Sequence, residues 1–125
     1  MTDDLEQFDL DQFDDEMFDE TKSIMKDRFG EFLEAYLEDV EDNIRYVTEA
    51  LEGGDLTTVV DYAHPLKSSS ARVGMASVAE LSKMIEHMGR EALENNTPLD
   101  EKAKQAAALL GPALEKAKQR LQPYL

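Results

Sequence analysis

An all-α, up-and-down antiparallel four-helix bundle with a short extra helix near the N-terminus is the fold this 125-residue sequence predicts. Three observations lead there. Apolar residues recur at helical spacing almost throughout, and no stretch alternates as a half-buried strand would. Gly, Pro and capping residues cut the chain into four substantial helical segments joined by short turns, which stack antiparallel around a shared core. The length suits one domain with one core, and neither an internal repeat nor a long linker divides it.

The opening residues set Leu5, Phe8, Leu10 and Phe13 among acids. They read as an acidic arm, 1–13, either frayed or docked on the bundle domain, 14–125. From about Asp14 a short helix places Met17, Thr21 and Ile24 on one side. The next helix is the clearest. Phe29, Phe32, Leu33, Tyr36, Leu37, Val40, Ile44, Val47 and Leu51 trace one stripe, and Gly53-Gly54 stops it. Asp55 caps a third helix carrying Leu56, Val59, Val60, Ala63 and Leu66. Pro65 lies inside that helix and removes one backbone bond, so a kink or loosened turn is expected there. Beyond Gly74, which permits a tight path between helices, Ser77 and Glu80 have capping-box spacing. The fourth helix then directs Val78, Leu81, Ile85, Met88 and Ala92 inward. Thr97-Pro98 reads as an N-cap followed by Pro at the first helical position. The last helix aligns Leu99, Ala103, Ala106, Leu110, Leu114, Ala117 and Leu121, with a kink expected at Gly111-Pro112.

Charge is unevenly placed. Residues 1–52 hold 19 acids against 4 bases, while residues 53–125 hold 9 of each, for a net charge of -15. A chain this acidic is a poor ligand for a nucleic-acid backbone or an anionic membrane. The first twenty residues hold ten acids and no Lys or Arg, the opposite of a signal or transit peptide. No apolar run has transmembrane length. A soluble cytoplasmic domain is the expectation, its acidic half either a solvated face or a surface that selects a basic partner.

The absence of Cys excludes disulfides, thiolate metal sites and thiol nucleophiles. Two residues remain with an obvious role near neutral pH, His64 and His87. They lie 23 positions apart on different predicted helices. Neither sits in an H-E-x-x-H spacing, and no Gly-rich phosphate loop is present, so the sequence supports neither a metal nor a nucleotide site. His64 is set apart by its neighbours. On a helix, positions 64, 67, 68 and 71 share one face, which carries an imidazole, a cation, a small hydroxyl and a methyl. The inward residues Val59, Ala63, Leu66, Ser70 and Val73 lie on other sides.

The run AHPLKSSSARVG, residues 63–74, resembles the signature of histidine-containing phosphotransfer (HPt) domains. In that family a His is followed by x-x-Lys, a small residue, and a Gly about ten positions on. Ala63, His64, Leu66, Lys67, Ser69, Ser70 and Gly74 match it. The likeness extends through Leu81 and Ile85-Glu86-His87-Met88-Gly89-Arg90, where relatives often carry a polar and then a basic residue. It spans roughly residues 29–121 by helix order and is specific at residue level over 63–90. Position 68 departs from the pattern, being Ser where relatives usually carry Gly.

The resemblance implies a histidine phosphotransfer protein of a two-component phosphorelay. His64 would accept a phosphoryl group from a receiver-domain aspartate and pass it to another receiver. The residues suit this: neutral imidazole is a competent nucleophile, and phosphoryl transfer asks mainly for in-line positioning and charge balance. Lys67, one turn on, offers charge to the phosphoryl oxygens. Glu86 would orient the imidazole by accepting from one ring nitrogen, or else is an exposed surface acid. Pro65, Ser68, Ala71, Arg72 and Arg90 would face the partner, a response-regulator receiver or a hybrid sensor kinase. Arg90 also reads as a helix-end surface cation. Magnesium would come with the receiver, leaving the chain no cofactor or metal of its own and no ATP-dependent kinase activity. A monomer is expected.

Two other readings stay open. One is an acidic helical adaptor in which His64 is incidental. The other is the dimerisation helix pair of a sensor kinase, whose His is usually followed by Glu or Asp, with a Pro five positions later. Here Pro65 follows the His directly.

Overall fold

Side-chain caps set where most of the helices begin. Asp14 accepts from the Met17 amide at 3.0 Å and starts α1, Asp15–Met25. Asp55 accepts from the Thr58 amide at 3.2 Å and its hydroxyl at 2.7 Å, starting α3, Leu56–Arg72. Between them runs α2, Phe29–Gly53, which Gly54 ends in the left-handed conformation at φ 73°. Its helix-end carbonyls are closed by the Gly54 amide onto Leu51 and the Asp55 amide onto Ala50. The fourth and fifth helices are α4, Ala76–Asn95, and α5, Glu101–Leu121. Short 3₁₀ turns occupy Asp4–Gln7, Lys26–Arg28 and Gln122–Tyr124. The coordinates are a computed structural model and describe residues 4–125.

Each long helix packs on the next and α2 closes the ring with α5, the up-and-down arrangement expected. The core stripes fall where the apolar spacing put them: Leu33, Val40 and Val47 of α2, Val59, Ala63 and Leu66 of α3, Val78, Leu81 and Ile85 of α4, Ala106, Leu110 and Leu121 of α5. The interface of α3 with α4 is the most extensive. Its intimacy comes from small residues. A Cβ at Gly89 would lie 2.9 Å from Val60 Cγ2, so the helices approach over bare backbone there. Ser82, two turns earlier on α4, is also fully buried and satisfies its hydroxyl on the Val78 carbonyl.

The arm is docked. Leu5 is buried, while Phe8, Leu10 and Phe13 pack on the core; residues 1–3 of the expected arm lie outside the described residues. It straps the turn between α3 and α4. The Asp14 amide donates to the Gly74 carbonyl at 2.7 Å, and the Ser77 amide donates to the Gln12 carbonyl at 3.2 Å. Gly74 has φ 76°, and a Cβ there would lie 2.6 Å from the Asp14 carbonyl oxygen. Only glycine fits both conditions.

Several local expectations are corrected. Ser77 and Glu80 form no capping box: α4 starts at Ala76 without a side-chain cap, and the Ser77 hydroxyl is buried without a partner among the described residues. The strap carbonyl of Gln12 holds the Ser77 amide that the Glu80 carboxylate would accept from in a capping box. Thr97 does not cap α5. Its amide closes the end of α4 on Ala92, past left-handed Asn96, and Asp100 caps α5 three residues later through the Lys102 amide. On α1 the buried residue is Phe18, stacked edge-on with Phe29 and Tyr124, whereas Ile24 is exposed. Pro65 and Pro112 both lie inside uninterrupted helices, as the sequence places them. The carbonyls each leaves unbonded, on Asp61 and Ala108, belong to exposed residues where water can satisfy them.

Candidate functional site

The rotation of α3 is fixed by what it buries. Val59, Ala63, Leu66 and Ser70 face inward, the last through a 2.7 Å hydrogen bond to the buried Tyr36 hydroxyl. That setting turns His64 outward along the edge nearest α4, with its side chain 56% exposed. Opposite it stands Glu86, on the turn of α4 that Gly89 lets approach α3. Its side chain is only 7% exposed.

Four donors converge on this one carboxylate. His64 Nδ1 lies 2.9 Å from Oε2, which also accepts from Arg90 Nε at 3.0 Å and Nη2 at 2.7 Å. Lys67 Nζ lies 2.8 Å from the other oxygen, Oε1. Burial by itself would raise the Glu86 carboxyl. The hydrogen bonds from Lys67, Arg90 and His64, together with the Lys67 charge, outweigh it and bring the pKa down to about 2. An ionised carboxylate only accepts, so Nδ1 carries the hydrogen. In the neutral ring the lone pair is then on Nε2, the nitrogen that does not contact Glu86.

His64, Lys67, Glu86 and Arg90 are therefore brought together, although they come from two helices. Pro65, Ala71 and Arg72 are exposed on α3. Ser68 is half-buried, with its hydroxyl turned back onto the His64 carbonyl at 3.3 Å. Arg90 spends its Nε and one terminal nitrogen on Glu86 rather than extending freely. Gly74 is at the far end of α3, in the strap turn. His87 points to solvent, 71% exposed, and pairs with Glu91 one turn on, at 3.4 Å. Among the described residues no group of three or more His, Asp or Glu is placed to hold a metal ion.

The motif reading missed the contribution of α2. A shallow cavity of about 260 Å³ lies between α2 and α3 beside the site, where Phe32, Ala35, Asp39 and Asn43 face Pro65, Ser69 and Arg72. Its signal was present in the spacing, since Phe32 at the edge of the core stripe continues through Ala35, Asp39 and Asn43 as one helical row. The packing role of Gly89 was equally available from its seven-residue separation from Ser82.

A family model for the Hpt domain matches residues 31–122. That span takes in nearly all of the four long helices and leaves out the strap and α1. No curated protein and no solved structure matches the chain. No described helix is long and apolar enough to cross a membrane.

Proposed function

The chain belongs to the Hpt domain family, whose members carry out phosphotransfer in two-component systems, and from that premise we propose that His64 is its phosphoryl acceptor. The observation that carries the reading is the exposed imidazole whose Nδ1 rests on ionised Glu86. The Nε2 lone pair attacks the phosphorus of a receiver's aspartyl phosphate. The N–P bond forms as the bond from phosphorus to the carboxylate oxygen breaks, and the aspartate leaves with the electron pair. The hydrogen stays on Nδ1, held by Glu86. The reverse step, onto a second receiver's aspartate, releases the group again. Lys67 supplies positive charge to the phosphoryl oxygens, and the receiver supplies magnesium.

Docking uses the exposed face of α3. Pro65, Ser68, Ala71 and Arg72 border the acceptor, and the cavity toward α2 adds apolar area beside it. The chain acts as a cytoplasmic monomer and does not phosphorylate itself from ATP. Incubation with a labelled phospho-receiver tests the reading. Label should enter the chain as a phosphoramidate, lost in mild acid and retained in base, and should not enter His64→Gln. Label that survives acid, or that enters His64→Gln, would place the acceptor elsewhere.

A further inference from the structure

We infer that Arg90 is a positioning residue for the phosphoryl acceptor, acting through Glu86, and that its anchorage leaves Lys67 free to exchange. The inference rests on the reading of His64 given above. The donors on Glu86 are not equivalent. Oε2 takes His64 Nδ1 and both Arg90 nitrogens, while among the described residues Oε1 takes Lys67. Glu86 and Arg90 are one turn apart on α4, so their contact needs no tertiary placement. Lys67 and His64 both reach across from α3.

A guanidinium offers its donors as a rigid planar fork, and two of them on Oε2 pin that oxygen in place. That same oxygen faces Nδ1, so the guanidinium also sets the direction in which Nε2 points. Lys67 has a different place. If its ammonium leaves Oε1, Oε2 keeps all three of its donors and the buried carboxylate stays charged. The flexible Lys67 stem can then carry the ammonium from Oε1 to an oxygen of a group on Nε2. Removing Arg90 has the opposite consequence. The carboxylate and an arriving phosphoryl group would compete for Lys67, and the oxygen that orients the ring would lose its guanidinium. Arg90 thus serves the acceptor from inside the chain rather than by reaching the partner.

Nitrogen NMR of the imidazole in the intact, unphosphorylated chain reads the link without any phosphate. At neutral pH the wild type and Lys67→Ala should show His64 predominantly protonated on Nδ1. Arg90→Ala and Glu86→Ala should both shift the signals toward a mixture of tautomers, and Arg90→Lys should recover part of the wild-type pattern. Transfer from a labelled phospho-receiver should fall about tenfold in Arg90→Ala and in Glu86→Ala. The double variant should be no slower than the worse single, because the two residues act as one unit. Lys67→Ala should slow transfer in the wild-type background and by a smaller factor in Arg90→Ala, where the carboxylate already competes for the ammonium. Circular dichroism checks that each variant is folded. Wild-type nitrogen signals in Arg90→Ala, or losses that multiply in the Arg90→Ala/Glu86→Ala double variant, would overturn the inference. If the wild type takes up no label at all, the phosphotransfer reading fails, and the nitrogen signals still decide whether Arg90 orients the ring.

Discussion

The protein contains two histidines, each beside a glutamate, and the two pairs have little else in common. His87 and Glu91 lie one turn apart on α4, 3.4 Å apart, with side chains 71% and 59% exposed. His64 and Glu86 sit on different helices at 2.9 Å, and that glutamate is almost entirely buried. Exposed pairs of the first kind are solvated and contribute at most a few tenths of a kcal/mol. In the second, a carboxylate removed from water is held ionised by Lys67 and Arg90 and imposes one tautomer on the ring beside it. The two pairs differ in the carboxylate. Among the described residues, the one beside His64 is buried and saturated with donors where Gly89 lets α4 close onto α3, and on the proposed reading that is what distinguishes the acceptor.

The largest expected effect tests that contrast directly. His64→Gln should lose all phosphoryl uptake from a phospho-receiver, and His87→Gln should retain wild-type uptake. A folded His87→Gln that transfers markedly more slowly would erase the distinction between the pairs.

Acid sharpens it next. The Glu86 pKa is depressed in the folded chain to about 2, from an ordinary value of 4.5. Such a group binds its proton more readily when unfolded, so its stabilisation is fully present above about pH 4.5. It is lost as pH falls from there through about 2. The stake is on the order of 3 kcal/mol. Denaturant unfolding across a pH series should show wild type more stable than Glu86→Gln near pH 6, with the gap closing toward pH 2. A gap that does not change with pH would mean the carboxylate is not held ionised.

Residues four positions on from each histidine give the third contrast. Ser68 occupies the turn after His64 and Glu91 the turn after His87. Ser68→Gln puts a long side chain where a receiver's aspartate must approach, and a misplacement of an ångström or so costs around a hundredfold in extreme cases. A loss of tenfold or more in transfer is expected, with melting temperature nearly unchanged, while Ser68→Gly should be tolerated. If Ser68→Gln transfers normally while a variant lacking residues 1–12 no longer binds receiver, docking lies on the acidic side instead. That truncation also removes buried Leu5 and the Gln12 carbonyl that holds Ser77. Its transfer must therefore be counted per folded molecule.

Much of this was legible in the sequence because helix stripes and turn residues act locally. The α2 stripe, the Gly54 stop and the Asp55 cap depend on neighbours within a turn or two, and all three are where the sequence places them. What escaped depends on distant chain. Ser77 has the spacing of a cap, yet the Gln12 carbonyl, sixty-five positions away by number, already holds its amide. Thr97 has the look of a helix start, yet its amide is committed to ending α4. Ile24 follows a helical row that the Phe18, Phe29 and Tyr124 cluster overrides. At the site, the motif named His64 and Lys67, and spacing set Glu86 and Arg90 on one face of α4. Only the tertiary approach at Gly89 could show that all four meet on one carboxylate, with two of the donors to one oxygen coming from Arg90.

The smallest effect belongs to the exposed pair, and it is informative because it should be close to nothing. Glu91→Gln removes the charge facing His87 and keeps the side chain's size. The pair is an i,i+4 contact on a solvated helix face, so the expected stability change is within about 0.5 kcal/mol. For a chain of this length that is a melting shift of roughly 2 °C or less. Added salt should weaken even that small contribution, since both groups are solvent-exposed. Transfer to and from receivers should match wild type, because Glu91 touches neither the imidazole of His64 nor the carboxylate that orients it. Should Glu91→Gln instead slow transfer several-fold in a protein that melts normally, the α4 surface around His87 would have to lie inside the receiver footprint. The docking face would then extend from α3 across α4, and Arg90 would stand at its centre rather than at its edge.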